Sequence, residues 1–129
     1  MVETLNIQGT EELPSIYFDT TYKLKIKGCS IPSDAWMIYR DITLILSKLV
    51  DKTPGSIDSE FVLNYCNKAS LHCICDLLKI LRQMEHKGWE IKVKWHYQND
   101  EDIKDSGELF SKILEGSFEL VESEEMLEA

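Results

Sequence analysis

Four cysteines, three histidines and a run of carboxylates are the side chains of this 129-residue chain that could do chemistry. Cys29, Cys66, Cys73 and Cys75 contain no Cys-x-x-Cys, and Cys73-x-Cys75 cannot place both sulfurs on one helix face. A metal set drawn from Cys66, His72, Cys73 and Cys75 matches no standard zinc spacing. The thiols read instead as small buried hydrophobes, and neither a metal nor a cofactor is expected. His72 falls near the start of a helix, His86 at its end and His96 on a strand; nothing in the spacing fixes a Cys66–His72 nucleophilic pair. Asp100, Glu101, Asp102 and Asp105 lie in the first turns of a helix, where capping and the helix dipole account for them. The chain has no phosphate-cradling glycine loop and no Gly-x-Ser-x-Gly elbow. No catalytic residue emerges, so the chain is read as a non-enzyme. The rival is a small ligand-binding or enzymatic domain with a pocket near Cys66, His72 and His96.

A different chemistry is written in Leu63-Asn64-Tyr65-Cys66-Asn67-Lys68-Ala69-Ser70. This reads as a strand entering a tight turn, with Ser70 opening the apolar helix that follows. A hydroxyl there sits beside unpaired backbone N–H groups and the positive end of the helix dipole, where phosphate is well tolerated. A lysine, Lys68, stands in the middle of the turn.

The elements that must hold this turn follow from hydrophobic period. Ser15–Asp19 is a short strand candidate, and Tyr22–Gly28 alternates, with Tyr22, Leu24 and Ile26 opposite Lys23, Lys25 and Lys27. The link at Asp19-Thr20-Thr21 is short enough for an antiparallel hairpin. Ser33 is a candidate N-cap for a helix with Ala35, Ile38, Ile42, Ile45, Leu46 and Leu49 inward, stopped by Thr53-Pro54-Gly55. A strand over Ile57–Cys66 should carry Ile57, Phe61, Leu63 and Tyr65 on one face. The helix Ser70–Lys87, the strand Trp89–Tyr97, a helix Asp100–Leu114 and a strand Ser117–Val121 complete the chain. The order β-β-α-β-α-β-α-β implies an α/β fold with a mixed, mostly parallel five-stranded sheet and an antiparallel edge hairpin. The alternation of polar and apolar residues in the strands places the helices mainly on one face. One domain over residues 1–121 and an acidic, disordered tail over 122–129 are expected.

Composition narrows the partners. The net charge of −9 opposes nucleic-acid backbones and anionic membranes and suits a partner with basic residues. A basic stripe of Lys23, Lys25, Lys27, Lys92, Lys94 and His96 lacks the interleaved aromatics that an RNA-binding sheet needs. The first residues have no apolar signal segment, and the run Trp36–Val50 is too short and too charged to span a membrane, so a cytoplasmic location is expected.

Ile7-Gln8-Gly9-Thr10, the hairpin, Tyr65-x-Asn67 before a helix, Asp76-Leu77-Leu78 within it and Trp95-His96-Tyr97 resemble the SiaC family of bacterial regulatory phosphoproteins. The match runs from Leu5 to Val121 with the same element order. The resemblance implies a domain like the STAS domains of anti-sigma factor antagonists, which binds and stimulates a GGDEF-type diguanylate cyclase when unphosphorylated. It also implies a partner-switching Ser/Thr kinase and a PP2C-type phosphatase, and hence a role in c-di-GMP signalling. In that family the phosphoacceptor is typically the threonine directly after the asparagine of the turn. Carried over, the asparagine is Asn67, the acceptor position is Lys68, and the partner-binding surface is Asn67, Lys68, Ala69, Ser70 and His72. Lysine cannot take the phosphate. Three outcomes stay open: the switch has moved to Ser70, the domain is fixed in its partner-competent state, or it has another partner and no phospho-control. For Ser70 itself the plainer role is a helix N-cap, worth about 1 kcal/mol.

Overall fold

A computed structural model describes residues 4–98 and 100–122. The chain order is β1 (Leu5–Ile7), β2 (Ser15–Phe18), β3 (Lys23–Ser30), α1 (Ala35–Leu49), β4 (Ser56–Cys66), α2 (Lys68–His86), β5 (Glu90–Tyr97), α3 (Glu101–Phe110) and β6 (Phe118–Glu122). The strands form one six-stranded sheet in sequential order, β1 to β6. β1–β2 and β2–β3 are antiparallel; β3–β4, β4–β5 and β5–β6 are parallel. Crossovers of the usual right hand that advance one strand at a time lay every helix on the same side. The single core cluster bears this out, because it joins all three helices to one phase of the strands: Ile26, Phe61, Leu63, Val93 and Trp95 among them.

The sheet has one strand more than the five expected. β1 is three residues long, too short for alternation to register, yet Leu5 and Ile7 pair with Phe18 and Ile16. The hairpin is therefore covered by β1 and is not the edge. Its turn is organised by Asp19, whose carboxylate accepts from Thr21 N (2.9 Å), Thr21 Oγ1 (2.6 Å) and Lys23 N (3.1 Å). That lets Tyr22 hold φ at 63°, a conformation side chains seldom adopt. The first helix is capped at Asp34 and not at Ser33, without a side-chain cap bond. Of the acidic tail, Glu122 closes β6; the rest lies outside the described residues.

The face away from the helices is charged in rows. Lys23, Asp58 and Lys92 are neighbours across β3, β4 and β5, and so are Lys25, Glu60 and Lys94. The lysines of the stripe thus alternate with carboxylates across the sheet, an arrangement that the separate strand sequences do not reveal. Next along lie Lys27, Val62 and His96, and the buried His96 meets the Glu60 carboxylate at 2.6 Å. Lys25 stands 3.6 Å from the other oxygen of Glu60. Partial burial works to raise the Glu60 pKa, but the His96 hydrogen bond and the Lys25 charge outweigh it and hold the carboxyl below its ordinary value. Because folding lowers this pKa below an unfolded value of about 4.3, the stability it contributes is present above that pH. It is lost as pH falls through the lower folded value. Unfolding midpoints of the wild type and Glu60→Gln, followed from about pH 6 to about pH 3, are expected to converge at the acid end. A constant gap would show that the contact is not ionic.

Candidate functional site

The turn between β4 and α2 is built by a change of phase in β4. Pairing with β3 runs in register to Gly28–Leu63 and resumes at Cys29–Tyr65, so Asn64 is an extra residue in the strand. One extra residue flips the alternation that follows. Tyr65, expected on the core face with Ile57, Phe61 and Leu63, is 54% exposed, and Cys66 turns inward in its place. The bulge carries no signal in the apolar pattern, which is why the sequence misleads here.

Asn67, not Ser70, is the N-cap of α2. Its Oδ1 accepts from Ser70 N at 2.8 Å, and α2 begins at Lys68. This is the ordinary geometry of an asparagine cap bonding to the third helical residue. The same side chain donates from Nδ2 to the Pro32 carbonyl at 2.9 Å, and Asn67 N donates to the Ser30 carbonyl at 2.9 Å. Ser70 is fully buried: Ser30 Oγ donates to Ser70 Oγ at 2.7 Å and lies 2.7 Å from Tyr39 Oη. The turn is thereby bolted to the β3–α1 connection and, through Tyr39, to α1. Burial pushes the Tyr39 hydroxyl pKa well up, the Ser30 hydrogen bond opposing it, so the phenol stays neutral in the chain.

The residues expected to work together divide sharply. Lys68, Ala69 and His72 are exposed and share the outer stripe of α2 with Asp76 and Lys79. Asn67 is half-buried and structural, and Ser70 has no exposed surface. The three groups of the rival reading are not assembled. His96 faces the helix-free side of the sheet against Glu60, His72 projects from α2, and Cys66 lies beneath the turn. Burial drives the Cys66 pKa up to about 12, against the opposing Ser70 hydrogen bond, so its thiol is no nucleophile at neutral pH. Among the described residues no group of histidine, cysteine and carboxylate side chains could hold a metal ion. No helix among them is long and apolar enough to cross a membrane.

Periodicity missed a second feature beside the turn. Trp36 (59% exposed), Met37 and Leu44 place apolar side chains on the outside of α1, off the stripe Ala35, Ile42, Ile45 and Leu46 that enters the core. Their signal was available, since apolar residues out of phase with a helix's core face need another reason to be there.

Residues 7–123 match the family described as SiaC family regulatory phosphoprotein. An uncharacterized protein of Pseudomonas aeruginosa (strain UCBPP-PA14) is 23% identical over 108 residues, covering 82% of this chain and 86% of that one. The solved structure of SiaC of Pseudomonas aeruginosa superposes with a TM-score of 0.86 at 20% identity, covering 95% of this chain and all of the other. A crystal structure of the diguanylate cyclase SiaD in complex with its activator SiaC, from the same organism, matches at TM-score 0.84 and 21% identity, over 92% and 99% of the two chains. At these identities the structural likeness establishes the fold.

Proposed function

The chain belongs to the SiaC family of regulatory phosphoproteins, and on that premise we propose that it is a non-enzymatic regulatory domain that docks on a GGDEF-type diguanylate cyclase. The docking surface is the exposed part of the turn, Lys68 and Ala69, with the outer stripe of α2 that His72 continues; Asn67 and the buried Ser70 hold that surface in place. The observation that carries this reading is the contrast between Lys68, exposed at the first residue of α2, and Ser70, fully buried two residues later. The position that faces a partner holds a lysine. The hydroxyl nearest to it is sealed under Ser30. A kinase acting on this turn finds no acceptor at its surface, which favours a domain kept in its partner-competent state over a switch moved to Ser70. The complex of SiaD with its activator SiaC, a structure of the same fold, supports the choice of partner class. The kinase and phosphatase of a partner-switching system belong to the proposal only as the setting from which Lys68 has released this chain.

A pull-down against GGDEF-type diguanylate cyclases of the source organism tests the proposal. Lys68→Glu is expected to weaken binding at least tenfold, about 1.4 kcal/mol, since it places the charge of a phosphorylated acceptor on the docking surface. Lys68→Thr should bind like the wild type and, unlike it, gain one phosphate by intact mass after kinase treatment. Undiminished binding by Lys68→Glu removes the turn from the interface. A phosphate mapped to Ser70 of the wild type refutes the fixed state.

A further inference from the structure

Between α1 and α2 lies a cavity of 270 Å³ lined by Trp36, Tyr39, Arg40, Thr43, Leu44, Cys73 and Asp76. Resting on the partner-docking reading above, we propose that this groove receives a large apolar side chain of the partner, with an adjoining basic residue pairing to Asp76. The volume falls just below the range of about 300–1,000 Å³ usual for drug-sized ligands, and suits one side chain better than a small molecule. Its walls are apolar. Trp36 and Leu44, both more than half exposed, stand two turns apart on α1 with Arg40 between them. Burial, and then the negative charge of Asp76, push the Cys73 thiol pKa up, so that wall is a neutral soft surface.

Charge selects the occupant. The exposed Asp76 carboxylate takes part in none of the ion pairs formed among the described residues, whereas Arg40 already has Asp41 at 3.6 Å. The rim therefore offers one carboxylate that has no ion-pair partner among the described residues. A second copy of this chain is a poor occupant, because it would bring a net charge of −9 against another −9. A basic segment with an apolar anchor satisfies both the cavity and the carboxylate. The groove is also mechanically continuous with the turn, since its Tyr39 is held through Ser30 to Ser70. A partner seated on Lys68, Ala69 and His72 meets Asp76 one turn further along the same stripe of α2.

Trp36 gives a direct readout, because Trp89 and Trp95 are buried and acrylamide reaches only Trp36 in the free protein. Adding the GGDEF-type cyclase that the pull-down identifies is expected to cut the quenching constant at least threefold, and Trp36→Phe to abolish the quenchable emission. Leu44→Glu and Asp76→Lys are each expected to raise the cyclase Kd at least tenfold while leaving the unfolding midpoint unchanged. Wild-type affinity in both variants, or unaltered Trp36 quenching in a complex still broken by Lys68→Glu, overturns the groove while leaving the turn as the interface. Failure of the wild type to bind the cyclase at all overturns the docking reading and the groove with it. Sedimentation showing a dimer of the free chain that Leu44→Glu dissolves assigns the groove to a second copy and overturns the proposal.

Discussion

Ser70→Asp is expected to lower the stability of this domain by about 3 kcal/mol, whereas Lys68→Glu changes it by less than about 0.5 kcal/mol. Both place a carboxylate in the first turn of α2, where the dipole repays up to about 2 kcal/mol in a favourable, partly buried geometry. Only the environment differs. Lys68 is exposed, and its replacement stays in water. Ser70 is sealed, with the Ser30 hydroxyl donating to it and no cation beside it among the described hydrogen bonds and ion pairs. An uncompensated buried charge costs about 3–5 kcal/mol, and forcing extra atoms into a packed site adds about 1–3 kcal/mol. The dipole cannot repay both. Urea unfolding of the two variants at neutral pH gives the comparison directly. Burial would raise the pKa of the introduced carboxyl, so the deficit should shrink as pH falls through that raised value. A Ser70→Asp variant as stable as the wild type would mean that the site opens readily enough to admit a phosphate.

Gly107→Ala is expected to destabilise the fold by about 2 kcal/mol, although alanine is worth about 1 kcal/mol more than glycine in a helix interior. Gly107 sits in the middle of α3 and is buried against β5 and β6. A Cβ there would press on the Trp95 indole and come within 2.6 Å of Leu120 Cδ2. Leucine can rotate away; the indole cannot. Its Nε1 donates to the Ile103 carbonyl at 2.9 Å, and its rings contact Phe61, Phe110 and Phe118 with centroids 5.5–6.0 Å away. Overpacking against so fixed a group costs about 1–3 kcal/mol and occasionally more, which exceeds the propensity gain. Thermal unfolding followed by circular dichroism should show the midpoint falling by several degrees. A midpoint at or above the wild-type value would show that Trp95 yields and propensity wins.

Much of this molecule is legible in one dimension. The alternation in Lys23–Gly28 and Glu90–Tyr97 and the helical stripes of α1 and α2 are properties of neighbours a few residues apart. They fix the element order and the one-sided helix layer without reference to distant parts of the chain. β1 was not legible because three residues carry too little period, and its place depends on Phe18 and Ile16. The bulge at Asn64 was not legible because an extra residue alters phase without altering composition.

The turn shows the division most clearly. The sequence by itself determined that an asparagine, a lysine and a serine stand where a strand meets a helix, and that the acceptor position of the resembled family holds lysine. Which of the three is exposed to solvent was decided only by the tertiary structure. Exposure depends on what packs from elsewhere: Ser30 on β3, Pro32 in the next connection and Tyr39 on α1 close over Ser70 and grip Asn67, and they leave Lys68 in solvent.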